Sequence, residues 1–136
     1  MVKKKYTILI VGGTGFIGYH LAKKCLKKGW KVTSISLNPA KKIRYLTKVK
    51  YIRCDIAKKK FLQRKIKKHF DYVVNLGGYV DHSNTKKILK NHYGGCRNLT
   101  EIFLKKTPLS FVQIGSSLEY GNLKSPNVEG MKCNLK

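Results

Sequence analysis

Seven residues constrain this chain more than any others: Gly12-Gly13-Thr14-Gly15-Phe16-Ile17-Gly18, set between an apolar run and an amphipathic one. The run before them, Tyr6 to Val11, is almost continuously apolar, the pattern of a central parallel strand covered on both faces. Beyond them, Ile17, Leu21, Ala22, Cys25 and Leu26 form one stripe at helical spacing, with Lys23, Lys24, Lys27 and Lys28 largely opposite and Gly29 as the stop. A strand that turns through glycines directly into a helix presents free N–H groups at the helix start, here at Phe16 and Ile17, and these favour a phosphate. In such a loop Gly12 allows the tight turn, Gly15 lets the backbone approach a pyrophosphate, and Gly18 lets the helix pack closely on the strand.

The rest of the chain repeats the alternation. Strands are expected at Lys31–Ser36, Val49–Arg53, Asp71–Leu76 and Leu109–Ile114, each a short run rich in apolar residues. Asn38-Pro39 opens a turn and a short helix. Ala57–Phe70 has helix-forming composition with Phe61, Leu62 and Ile66 as its core candidates, and Thr85–Lys106 keeps the 3.6 period through Ile88, His92, Cys96, Leu99 and Ile102 or Phe103 until Pro108. Residues 115–136 are loop-like. Right-handed crossovers then give an α/β fold, a Rossmann-like doubly wound parallel sheet of order 3-2-1-4-5, as a single domain over 1–136. Its ligand crevice lies beyond the carboxyl ends of the strands.

Composition excludes several alternatives. The 136 residues hold 30 Lys and Arg against 6 Asp and Glu, a net charge of +24, yet 42% are hydrophobic, which argues for a packed core and against disorder. The basic residues are overwhelmingly lysine and scattered in doublets and triplets; nonspecific polyanion binding is expected from the charge, whereas a dedicated nucleic-acid site would cluster arginine with aromatics on one face. Cys25, Cys54, Cys96 and Cys133 show no metal-ligand spacing, so no metal is expected and free thiols in a reducing, cytoplasmic setting are the simplest reading. No apolar stretch has the length of a membrane span.

The G-x-x-G-x-x-G spacing, together with Asp55-Ile56, Asn75-Leu76-Gly77-Gly78, Asn91 with Gly94-Gly95, and Gly115-Ser116-Ser117-Leu118-Glu119-Tyr120-Gly121, resembles the NAD-dependent epimerase/dehydratase family, the extended branch of the short-chain dehydrogenases/reductases. The resemblance covers nearly the whole chain and implies a nicotinamide dinucleotide held by Gly12, Gly15, Phe16, Ile17, Gly18, Ser36, Asn38, Asp55, Ile56, Leu76, Gly77 and Gly78, with a nucleotide sugar as substrate. It implies that Asp55 bonds the adenine amino group; capping a helix from Ala57 onward is the structural alternative. Gly77 and Gly78 would stand near the ribose and nicotinamide. Ser116 would be the catalytic serine that bonds the reacting hydroxyl or carbonyl of the substrate.

Two departures matter. The place of the acidic residue that accepts ribose hydroxyls, eighteen residues beyond Gly18, holds Ser36, followed by Leu37 and Asn38, while Lys41, Lys42 and Arg44 stand close enough in sequence to meet a 2′-phosphate. The cofactor is therefore NAD or NADP, with NAD slightly favoured. The resemblance also implies a Tyr-x-x-x-Lys pair on a helix, and the chain reaches Lys136 just where that segment is expected; Tyr120 and Lys124 share the spacing, but in a loop. Hence the expected fold is truncated after strand five, with catalytic helix and substrate domain absent, a nucleotide-sugar substrate only if they are supplied, and no turnover by these residues alone. His92 is expected to pack inside its helix stripe, and Asp81-His82 to lie in a loop near the substrate. A non-catalytic dinucleotide sensor or interaction domain, a basic nucleic-acid binder and a homo-oligomer stay open.

Overall fold

The computed structural model describes residues 5–78, 85–116, 120–121 and 126–131. Five parallel strands, β1 (Thr7–Val11), β2 (Lys31–Ser36), β3 (Val49–Arg53), β4 (Tyr72–Asn75) and β5 (Ser110–Gln113), form one sheet in the order β3-β2-β1-β4-β5. The order and the parallel pairing are those expected from the sequence. Register sets Val11 beside Ile35 and Asn75, Ser36 beside Arg53, and Asn75 beside Gln113, so the carboxyl ends of all five strands share one rim.

Helices cover both faces. On one, Ala22 and Cys25 of α1 (Phe16–Lys27) pack with Leu21, Leu26 and Trp30 against Ile8, Ile10, Val32 and Val49. On the other, Leu62 of α2 (Lys59–Lys65) and Leu99, Ile102 and Phe103 of the last helix close over Leu9, Val11, Ile35 and Val73. Alternate residues of β1 thus serve opposite faces, which is why its apolar run is unbroken. At the opposite rim the Asp71 carboxylate accepts both the backbone N–H and the hydroxyl of Thr7, each at 2.7 Å, and the Thr7 hydroxyl oxygen accepts the Asp71 N–H at 3.0 Å, tying the starts of β1 and β4 together.

Several expectations are corrected. Ile17, placed on the core stripe of α1, is 62% exposed, because the helix begins at Phe16 and its first turn rises over the glycine loop before it reaches the sheet. Phe61 is 44% exposed; Leu62 takes the core position alone in that turn. The helix expected over Ala57–Phe70 is shorter. It leaves helical geometry at Ile66, and Ile66 and Phe70 then turn under the sheet as buried residues. The Lys106 ammonium donates to the Ile66 and Lys67 carbonyls freed by this ending, at 3.4 and 2.7 Å.

The single helix expected over Thr85–Lys106 is three pieces: α3 (Thr85–Leu89), a π turn (Lys90–Gly94) and α4 (Gly95–Leu104). A π turn inserts one residue into the helical count and so rotates the segment on its N-terminal side relative to the one on its C-terminal side. Leu99, Ile102 and Phe103 keep the core face, while His92, expected inside, is exposed.

The two sheet edges differ. The β3 edge carries Lys50 and Arg53, whereas Ser110–Gln113 of β5 contains no charged residue. β5 pairs with β4 on one side and with no other strand among the described residues, leaving Val112 43% and the adjacent Ile114 49% exposed.

Candidate functional site

The glycine loop lies at the carboxyl end of β1. Gly12 has φ +80°, and a Cβ there would stand 3.0 Å from the Leu76 carbonyl oxygen, so both conformation and proximity require glycine. A Cβ on Gly18 would collide with the Gly12 carbonyl and the Gly13 backbone; this close approach brings the start of α1 down onto the turn. Gly15 behaves differently. It has an extended backbone (φ −75°), and the nearest atom to an added Cβ is the Gly12 oxygen at 3.3 Å. A Cβ here would ask the Gly12 carbonyl to give by only a few tenths of an ångström, a far milder conflict than at Gly18, and Gly15 also lines the cleft.

That cleft has a volume of about 640 Å³, within the range of small-molecule and cofactor sites. One wall is the end of β2 and the loop behind it. The Ser36 hydroxyl oxygen accepts the Thr14 N–H at 3.3 Å, and the Thr14 hydroxyl donates to the Asn38 carbonyl at 3.2 Å, fastening glycine loop and β2 loop to each other. The Arg53 Nε donates to the Leu37 carbonyl at 3.1 Å from outside the same loop.

The end of β3 contributes Cys54, Asp55 and Ile56. Asp55 Oδ1 accepts the Ala57 N–H at 2.9 Å, an Asx turn. The helix cap considered for Asp55 is corrected: α2 begins two residues later, at Lys59, and no side chain caps it. Its Oδ2 has no donor among the described residues, so a carboxylate oxygen in the cleft wall is free for an amino group. Burial pushes the neighbouring Cys54 thiol up, and the Asp55 charge adds to this, so the thiol stays protonated at neutral pH.

The opposite wall is held by Asn75. Its side chain is buried at the end of β4, where Oδ1 accepts the Gly77 N–H at 3.0 Å and Nδ2 donates to Gln113 Oε1 of β5 at 2.7 Å. Asn98 of α4 donates to the Ile56 carbonyl at 2.9 Å, joining this wall to the Asp55 segment. Above Gly77 and Gly78, Lys87, Lys90 and Asn91 complete the lining.

The structure thus brings Gly12, Gly15, Ser36, Asn38, Asp55, Ile56, Leu76, Gly77 and Gly78 into one cleft. Phe16 and Ile17 are exposed beside its mouth and offer only backbone N–H groups, and Gly18 acts from beneath through packing. Ser116 is exposed beyond the end of β5 and is not part of the cleft wall. Asp81, His82 and Lys124 lie outside the described residues. Sequence reasoning did not single out Thr14, Leu37, Cys54, Lys87 and Lys90 as lining residues. The first three flank positions that were singled out, while the lysines carried no local signal in a chain so rich in them.

The residues fit a dinucleotide in chemistry as well as in position. Helix-start N–H groups and two lysines suit an anionic group, the Asp55 carboxylate suits an amino group, and Gly12 and Gly15 keep the loop between them free of side chains. Among the described residues, no helix is long and apolar enough to cross a membrane.

Comparison with known proteins points the same way. Residues 8–134 match the model of the NAD dependent epimerase/dehydratase family. Among solved structures, the chain is similar to ADP-L-glycero-D-manno-heptose-6-epimerase of Helicobacter pylori, with 31% identity and a TM-score of 0.83 over 93% of this chain and 44% of that one. The Bordetella bronchiseptica enzyme WbmG, solved with NAD and UDP, shares 20% identity with a TM-score of 0.79, covering 89% of this chain and 41% of that one. An epimerase of Methanothermobacter thermautotrophicus shares 23% identity with a TM-score of 0.79, covering 93% and 40%. The chain therefore spans less than half the length of these proteins.

Proposed function

The chain belongs to the NAD dependent epimerase/dehydratase family, and on that premise we propose that its cleft holds a nicotinamide dinucleotide serving hydride chemistry on a nucleotide sugar. The observation that carries the reading is the glycine loop: it runs from the carboxyl end of β1 into α1, is fastened to the β2 loop, and lines the cleft with Gly12 and Gly15. The pyrophosphate lies over the N–H groups of Phe16 and Ile17, compensated by the start of α1 and by Lys87 and Lys90. Asp55 Oδ2 accepts the adenine amino group, Ser36 and Asn38 meet the adenosine ribose, and Leu76, Gly77 and Gly78 border the nicotinamide half.

A bound nicotinamide supplies an acceptor and donor of hydride. Ser116 orients a substrate hydroxyl arriving from the β5 side. Assayed alone, these 136 residues bind cofactor without useful turnover, because Ser116 does not supply the proton transfer that a Tyr/Lys pair provides. The net charge of +24 also draws polyanions nonspecifically.

Titration with NADH and NADPH, monitored by nicotinamide fluorescence, tests the reading. Saturable binding that Gly15→Asp abolishes is the expected result. Absence of saturable binding by a sample with native circular dichroism overturns it.

A further inference from the structure

The amino-terminal rim of the sheet, opposite the cleft of the glycine loop, holds a second cavity of about 780 Å³. Its origin lies in α2. On the sheet face that α2 and α4 cover, strand alternation sets Thr7, Lys31, Thr33 and Lys50 towards this rim, and register places Thr7 beside Lys31 and Thr33 beside Lys50. A parallel sheet covered on both faces carries apolar residues at such places. Here α2 leaves helical geometry at Ile66, and an irregular stretch to Phe70, its Ile66 and Lys67 carbonyls held by Lys106, lines the hollow together with these polar residues.

We propose that this cavity is a second binding site, for a chain of phosphates, the chemistry shared by a single nucleic-acid strand and inorganic polyphosphate. Seven of its sixteen lining residues are lysine, against two of seventeen in the first cleft, and no Asp or Glu lines it among the described residues. They come from separate places: Lys5 ahead of β1, Lys31 in β2, Lys48 and Lys50 at β3, and Lys65, Lys67 and Lys68 around the end of α2. In the sequence they are part of a general scatter; the fold gathers them. None has a carboxylate partner among the described residues, where Glu101 serves Lys59 and Arg97, and Asp71 on the same rim is engaged by Thr7.

Lysines that converge on one concavity without counterions repel one another, and a multiply charged anion relieves that repulsion where the cavity wall concentrates their field. No arginine lines the cavity. The wall therefore offers point charges on flexible stems, suited to successive phosphates and not to base edges.

Trp30 lines this cavity and is the chain's one tryptophan, so its emission reports occupancy directly. A fluorescein-labelled oligothymidylate of about sixteen nucleotides and inorganic polyphosphate of matched length, at an ionic strength of about 0.15 M, serve as probes. They are titrated against the chain, against Lys50→Gln/Lys67→Gln/Lys68→Gln, and against Lys23→Gln/Lys24→Gln/Lys60→Gln, which removes equal charge from residues that line neither cavity; circular dichroism checks both variants. Both probes should change Trp30 emission saturably and displace each other. The cavity variant should bind about tenfold or more weakly, with a log–log salt slope for the oligonucleotide smaller by about two, and the control should stay within about twofold of the parent. Saturating NAD should change none of these values. Equal losses in the two variants, or unchanged Trp30 emission at saturation, overturn the site in favour of a diffuse field, and competition by NAD overturns it in favour of the first cleft. Failure of polyphosphate to displace the oligonucleotide overturns recognition of a phosphate chain. Tighter binding by one probe at equal phosphate number supports the site and identifies the source of its ligand.

Discussion

Asn75 is the residue on which the cleft wall depends most. It is buried, and both ends of its amide are used, one for the Gly77 N–H and one for Gln113. Asn75→Ala removes a buried amide and leaves the Gly77 N–H without its acceptor, a loss of about 1–3 kcal/mol that urea denaturation will register. The glycines separate structural from ligand-facing roles at the same scale. Gly18→Ala forces a Cβ into the Gly12 backbone and should cost about 2 kcal/mol of stability. Gly15→Ala, whose Cβ asks the Gly12 carbonyl to give only slightly, should lower the urea midpoint much less than Gly18→Ala yet weaken cofactor binding at least about tenfold. Equal stability losses in the two variants would refute this division.

Among the elements, α2 and α4 are coupled through Glu101, whose carboxylate pairs with Lys59 of α2 and with Arg97 one turn back at 2.9 Å. The hydrogen bond from Lys59, with that from Arg97 second, holds Glu101 below its usual value of 4.5. A folded-state value lowered in this way stabilises fully above the usual carboxylate range and loses its effect as pH falls through the lowered value. Because the group is solvent-exposed the contribution is small. Glu101→Gln should therefore lower the urea midpoint slightly at neutral pH and not at all in strong acid; a difference that persists in acid would show that the link is not ionic.

The elements also show what was legible in the sequence. The bounds of β2 and β3 coincide with the runs Lys31–Ser36 and Val49–Arg53, because β-branched and apolar residues between turn signals leave little alternative. The glycine loop and Asp55 were legible because their spacing carries geometry. Periodicity failed where the helix itself departs from 3.6 residues per turn, at the π turn that moves His92 outward, and where a helix starts above the sheet, as at Ile17. The fastening of Thr14 to Ser36 and of Asn75 to Gln113 joins distant segments, and no local pattern announces such pairs.

For the whole molecule, charge dominates behaviour in solution. Thirty basic residues against six acidic ones should retain the chain on phosphate-rich polymers at low ionic strength, with affinity falling steeply as salt rises. Retention insensitive to salt would show a specific site instead. The same field bears on the uncharged β5 edge. An edge strand without lysine or a bulge is a template for pairing with another chain, and natural sheets usually guard against that locally, as β3 does with Lys50 and Arg53. In a solution of these 136 residues, long-range repulsion between whole molecules guards an edge that, among the described residues, no further strand covers, a colloidal safeguard and not a steric one. Such a safeguard weakens as counterions shorten its reach, so light scattering should rise with added salt, the reverse of the usual behaviour of proteins held together by surface ion pairs.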